Sequence, residues 1–185
     1  MTEIMAETVI DKRMGKGCAK RLLLTALFIF LFDQGTKIYM TGLLESGYVF
    51  KTVIPSFFYL GYVENSGAAF GIMQNQKWFL ASVAFIAIGG IYWFRKDLIG
   101  TSRFMAYTIG LISGGIVGNL LDRLRFGYVV DFIELHFGSY HYPNFNVADS
   151  AICIGVTLYI LHSLITEFRT KAAAKKVNRV GTKAE

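Results

Sequence analysis

Phe104-Met105-Ala106-Tyr107-Thr108-Ile109-Gly110-Leu111-Ile112-Ser113-Gly114-Gly115-Ile116-Val117-Gly118-Asn119-Leu120-Leu121 runs for 18 residues without a charged side chain. Crossing a hydrocarbon core about 30 Å thick takes roughly 20 predominantly apolar residues. Three further blocks have similar character: Leu22–Tyr39, Trp78–Phe94 and Val147–Ile165, the second of them also uncharged. Inside lipid a chain must satisfy its own backbone hydrogen bonds, so each block is expected to be a helix. The sequence predicts helices over about residues 21–40, 77–94, 103–121 and 147–167, in one membrane-embedded domain without internal repeats. Composition agrees: of 185 residues, 54% are hydrophobic and 17% charged, against about 25% charged in a typical soluble domain. The mean hydropathy is +0.44.

Basic residues set the expected orientation. Five lie before or at the start of the first block, three between the second and third, and six after the fourth, fourteen of 19 in all. The positive-inside rule then puts both termini in the cytoplasm. A net charge of +6 reads as a topology signal with some attraction to anionic membrane lipids; nucleic acid is not an expected partner. The basic lead and the apolar run Leu22–Phe32 also resemble a secretory signal. However, Asp33-Gln34-Gly35-Thr36-Lys37 follows in place of a small-residue cleavage site, which favours a retained first helix. Cys18 and Cys153 fall at different depths, and no disulfide between them is expected. Residues 1–20 and 170–185 read as polar, mobile tails.

Between the first two helices, residues 41–77 include Val53-Ile54-Pro55-Ser56-Phe57-Phe58-Tyr59-Leu60-Gly61-Tyr62-Val63. This aromatic and β-branched stretch predicts one or two short strands resting at the membrane interface. In the third helix Gly110, Gly114 and Gly118 recur at spacings of four, a face on which helices pack backbone to backbone in lipid.

Ionisable and amide side chains are costly in such surroundings, about 2.5–3.5 kcal/mol for an Asp or Lys at a helix centre. Asp33 and Lys37 stand at i,i+4, which suits a local ion pair and equally a brace for an outer loop. Asn119, Asp122 and Arg123 share a face at the end of the third helix. Solvated termini explain Asp122 and Arg123 more readily than Asn119. Asn146 and Asp149 have the spacing of an N-cap and its N3 partner, a role compatible with chemistry, since a helix N-terminus also favours an anionic Asp. Asp131 stands among Val129, Val130, Phe132 and Ile133 with no cation beside it; an exposed strand residue is the plain alternative. With the expected topology, Asn65, Asn119, Asp122, Asp131, Asn146 and Asp149 gather at or just below the outer membrane face, and Asp33 lies in the outer half. Taken on chemistry alone, these residues predict a carboxylate-rich site at that level. A proton- or ion-coupled transporter would instead spread its acids across the bilayer, often on broken, repeated helices. A non-catalytic membrane scaffold would not need two aspartates in separate outer segments.

Five motifs contain these residues in order: Asp33-Gln34-Gly35-Thr36-Lys37; Glu64-Asn65-Ser66-Gly67-Ala68-Ala69-Phe70-Gly71; Gly114-Gly115-Ile116-Val117-Gly118-Asn119-Leu120-Leu121-Asp122-Arg123; Val129-Val130-Asp131-Phe132; and Phe145-Asn146-Val147-Ala148-Asp149. Together they resemble signal peptidase II, the lipoprotein signal peptidase family, over about residues 20–168. The resemblance implies an all-α integral membrane fold of four transmembrane helices, with a small periplasmic β-cradle around residues 41–77 and a mobile periplasmic flap or helix near 128–140. It implies an aspartic endopeptidase of the bacterial inner membrane, with Asp131 and Asp149 as the catalytic pair. Asp33, Lys37, Asn65, Gly67, Asn119, Arg123, Asn146 and Ala148 would support the site or touch substrate, with Asp122 beside them. The implied substrate is a prolipoprotein carrying diacylglyceryl on a cysteine, cut just before that cysteine, its acyl chains received laterally between helices two to four. No cofactor or metal is expected: His136, His141 and His162 form no i,i+4 zinc pair, and no Ser-centred nucleophile motif occurs. A monomer would suffice.

Overall fold

The computed structural model describes residues 14–45, 50–68 and 72–181. Of the features just read, Lys12, Arg13 and Lys183 in the basic tails and Ala69–Gly71 of the second motif lie outside the described residues. The elements run α1 (Cys18–Glu45), β1 (Phe50–Ile54), β2 (Phe58–Asn65), α2 (Lys77–Ile99), α3 (Arg103–Phe126), β3 (Val129–Phe137), β4 (Tyr140–Phe145) and α4 (Val147–Gly181). All four helices are long and apolar enough to cross a membrane.

α3 is the axis of the bundle, and α1, α2 and α4 each pack against it. Its small residues make that possible. A Cβ added at Gly114 would sit 2.6 Å from the Ala26 carbonyl oxygen of α1, and one at Gly115 would sit 2.5 Å from the Ala148 carbonyl oxygen of α4. The glycine face expected from the spacing of four is therefore the contact with α1, while its neighbour Gly115 serves α4. The outer helices leave large apolar side chains uncovered, among them Leu23, Leu27, Phe28 and Leu31 on α1 and Val83, Phe85 and Ile86 on α2. Such a belt is costly in water and neutral against lipid tails. Trp78 and Trp93 stand exposed near the two ends of α2, about 22 Å apart at a rise of about 1.5 Å per residue. Indole rings prefer these two interfacial levels.

The strands form one antiparallel sheet in the order β1-β2-β3-β4. Among the described residues of 41–77, β1 and β2 are the part that joins this sheet. The segment near 128–140, expected as a flap or helix, is not helical: β3 pairs along β2 with Val63 opposite Asp131 and Asn65 opposite Val129. Val129, Val130 and Phe132 are buried there, and β-branched and aromatic side chains suit a pleated, half-buried surface. β4 then leads directly into α4. A second expectation also changes. Residues 170–181, read as a mobile polar tail, continue α4, in a lysine- and alanine-rich stretch of good helix formers. A Glu167–Lys171 ion pair of 2.6 Å at i,i+4 supports the turn before it. Likewise Cys18, expected in the basic lead, is the first residue of α1 and is buried.

Candidate active site

Buried polarity concentrates where α1, α3 and the start of α4 meet the sheet. The deepest part is an ionic cluster. Lys37 Nζ lies 2.8 Å from Asp33 Oδ2 and 2.8 Å from Asp122 Oδ2, and it donates to Asn119 Oδ1 at 3.0 Å. An ammonium has three N–H groups, and all three are used. The local ion pair is present, whereas the brace expected on an outer loop falls instead on α3, through Asp122 and Asn119. Asp33 turns its other oxygen, Oδ1, to the Ala148 backbone N–H at 2.9 Å, one of the free N–H groups of the first turn of α4. Gly118 admits this contact, since a Cβ there would lie 2.5 Å from Asp33 Oδ2. Asp122 Oδ2 also accepts the Val130 backbone N–H at 3.4 Å, joining the cluster to β3.

Asn119 relays this fixed charge outward. Its oxygen is held by Lys37 and by Asn146 Nδ2 at 3.2 Å, so its amide nitrogen faces Asp149 and donates to Oδ1 at 2.7 Å. Asn146 plays the matching part for Asp131. Its Nδ2 donates to Asp131 Oδ1 at 2.7 Å and to the Val130 carbonyl at 3.3 Å. Asn65 Nδ2 donates to the other oxygen of Asp131 at 2.9 Å. Asn146 and Asp149 also form the expected capping box. The Asp149 N–H donates to Asn146 Oδ1 at 2.9 Å, and the Asn146 N–H to Asp149 Oδ2 at 3.3 Å. Capping and site-building are thus one arrangement, in which Asn146 contacts both aspartates.

Asp131 is 1% exposed, so it is not the exposed strand residue that its sequence neighbours allow. Burial, and then the nearby Asp149 charge, push its carboxyl up to about 7, against the opposing effects of the Asn65 and Asn146 hydrogen bonds and the Lys37 charge. A carboxyl in that range exchanges protons at neutral pH, as a general acid or base requires.

Both aspartates line a cavity of about 730 Å³. Asn65, Asn119 and Arg123 share its polar end, while Leu135, Phe137 and Tyr142 from the hairpin and Ile152, Cys153 and Val156 from α4 form apolar walls. The expected walls from helices two to four need correcting, because α2 contributes nothing here. It borders a separate apolar groove of about 460 Å³ with α1 and α3. Arg123 donates to the Gly67 carbonyl at 2.9 Å, and Gly67 in turn donates its N–H to Asn65 Oδ1 at 2.9 Å. A Cβ at Gly67 would meet the Ile72 carbonyl at 2.5 Å.

Every residue singled out in the sequence joins this network or lines the cavity: Asp33, Lys37, Asn65, Gly67, Asn119, Asp122, Arg123, Asp131, Asn146, Ala148 and Asp149. One participant received no role from the sequence. Gln34 Nε2 donates to Asp122 Oδ1 at 2.9 Å and reaches Asp33 Oδ2 at 3.2 Å. Its signal was an amide beside Asp33 in an apolar helix. The individual wall residues were not named either, and the hairpin's share of the wall was not expected, since Leu135 or Ile152 looks like any other apolar residue.

The chain is similar in sequence and in fold to known proteins. A family model described as signal peptidase (SPase) II matches residues 25–165. The lipoprotein signal peptidase of Symbiobacterium thermophilum is 43% identical over 115 residues, 62% of this chain and 76% of its own length. That of Syntrophotalea carbinolica is 41% identical over 143 residues, 76% of this chain and 88% of its own. A solved structure described as a bacterial membrane enzyme, determined by the in meso method at 2.3 Å, superposes with a TM-score of 0.73 at 33% identity, covering 81% of this chain and 90% of the other.

Proposed function

Because this chain belongs to the signal peptidase II family, and so is a membrane peptidase that removes signal peptides from prolipoproteins, we propose that Asp131 and Asp149 make the cut. The carrying observation is that two carboxylates from separate elements open on one cavity while Asn146 donates to both, from its side-chain amide to Asp131 and from its backbone N–H to Asp149. Two nearby carboxylates do not ionise together comfortably, so the pair holds one proton near neutral pH. The ionised member takes a proton from water, and that water attacks the scissile carbonyl. The protonated member hydrogen-bonds the carbonyl oxygen as the tetrahedral intermediate forms. A proton then passes to the leaving amine. No covalent intermediate is needed. Asn119, Asn146 and Asn65 hold the carboxylates in register, and the Asp33–Lys37–Asp122 cluster holds the asparagines.

The substrate is a prolipoprotein with diacylglyceryl on a cysteine, cut on the N-terminal side of that residue. The apolar walls from the β3–β4 hairpin and α4 suit acyl chains entering from the bilayer, and the charged end suits the peptide. Both termini lie in the cytoplasm and the sheet with its cavity lies on the periplasmic side of the inner membrane. The distribution of basic residues supports this orientation. The chain acts as a single membrane-embedded domain, and both aspartates come from one chain, so a monomer is sufficient. Gathering of the polar groups at one level, instead of across the helices, favours a peptidase over an ion-relaying transporter.

Substrate choice is tested by offering the detergent-purified protein a prolipoprotein-derived peptide with and without the diacylglyceryl group. Cleavage immediately before the modified cysteine is expected. Equal cleavage of the unmodified peptide would overturn the lipid-directed reading.

A further inference from the structure

On the opposite face of the β3–β4 hairpin from the cavity, three metal-ligating side chains converge. β3 and β4 pair with His136 opposite His141, and Glu134 lies two residues before His136, on the same strand face. Glu134 Oε1 is 2.6 Å from His136 Nε2 and 4.0 Å from His141 Nδ1, and one ligand atom from each of the three lies within 4.8 Å of the others. No helical spacing announces this group. Strand register creates it, which is why a search for i,i+4 histidine pairs passes over it.

We propose that Glu134, His136 and His141 bind a divalent transition-metal ion of the zinc class, clamping the hairpin. Two imidazoles and a carboxylate are the donors such ions take, with a fourth position left for water. Bonds of about 2.0–2.1 Å in a tetrahedral site separate ligand atoms by about 3.3 Å. Glu134 and His136 therefore need to part by less than about 1 Å. The two imidazole rings stack at 3.8 Å and 10°, and a metal must lie in the plane of each ring, so one ring has to turn. His141 can do so, because its side chain is 62% exposed. His136 is the fixed ligand: its ring packs on Tyr59 at 4.5 Å and its backbone N–H donates to the Phe57 carbonyl at 2.8 Å. Coordination through Nε2 moves the His136 proton to Nδ1 and replaces the hydrogen bond to Glu134 with the ion.

The consequence is mechanical. β4 is an edge strand, bonded only through β3, and it runs straight into Asn146. Leu135, Phe137 and Tyr142, pointing the other way, line the cavity. An ion bridging His136 and His141 fastens the free strand near its tip and stiffens that wall. This proposal does not depend on the peptidase reading.

The test uses the full chain, free of any histidine tag, in metal-free detergent buffer, with Co²⁺ as a spectroscopic probe. The expected result is the visible absorption of a tetrahedral Co²⁺ site, saturating at one equivalent and displaced by Zn²⁺. His141→Asn and Glu134→Gln should each weaken Co²⁺ binding at least about tenfold, whereas His162→Asn should leave it unchanged. Hydrogen exchange in residues 133–145 should slow on Zn²⁺ addition in the wild type and not in His141→Asn. No saturable band in the wild type, or an unaltered band in both hairpin variants, overturns the proposal.

Discussion

Asn146 donates from its side-chain amide to Asp131 Oδ1 at 2.7 Å, while the oxygen of the same amide accepts the Asp149 backbone N–H at 2.9 Å. A helix cap has thereby become the spacer of a carboxylate pair. Asn146→Ala should remove about 1 kcal/mol of capping and lower kcat about 100-fold, comparable to loss of one preorganised donor. Asn146→Ser, which restores a cap but cannot reach in both directions, should recover thermal stability without recovering kcat. Unfolding midpoints and single-turnover cleavage measured on both variants separate the two contributions.

Lys37 is the only cation touching Asp33 and Asp122 among the described residues. Lys37→Met leaves two buried carboxylates facing each other, and breaking a buried pair costs about 3–5 kcal/mol. The variant should be markedly destabilised in detergent. Adding Asp33→Asn should restore part of the loss, and a thermal-unfolding cycle of the two changes reads this directly.

Gly118→Ala drives a methyl group to within 2.5 Å of Asp33 Oδ2, whereas a Cβ at Gly89 meets nothing within 4 Å. The first substitution should cost about 1–3 kcal/mol through overpacking. The second should be neutral or slightly stabilising, since Ala favours a helix over Gly by about 1 kcal/mol. Parallel melting curves decide it.

Asp131 keeps its proton up to about pH 7, where an unfolded chain loses it near 3.8. Between these values the unfolded state ionises and the folded state does not, so this group lowers stability as pH rises, with the full penalty above about pH 7. The stability of the wild type relative to Asp131→Asn should therefore fall from about pH 4 to about pH 7 and level off above it. For catalysis the pair must retain one proton, so kcat/KM should decline on the alkaline side of about pH 7. A pH profile flat through pH 9 would contradict the shared proton.

The spanning helices were legible because an apolar run of about 20 residues in lipid satisfies its backbone as a helix, and the glycine spacing of α3 already marked its packing face. The polar residues were legible for the opposite reason: Asn119 or Asp131 in apolar surroundings is costly unless partnered. Partners were harder to read. That Lys37 spends its third N–H on Asn119, 82 positions away, depends on how α1 and α3 cross. The helical alternative for segment 128–140 fails because its strand exists through pairing with β2, a long-range contact that local sequence does not display. The Glu134–His136–His141 group is hidden for the same reason.

Cleavage of a diacylglyceryl-modified prolipoprotein peptide by wild type, Asp131→Asn and Asp149→Asn is the most direct test of the carboxylate pair. The account predicts that both variants fold and bind substrate as the wild type does, yet fail to cleave it. Substantial turnover by either variant would contradict a mechanism built on Asp131 and Asp149.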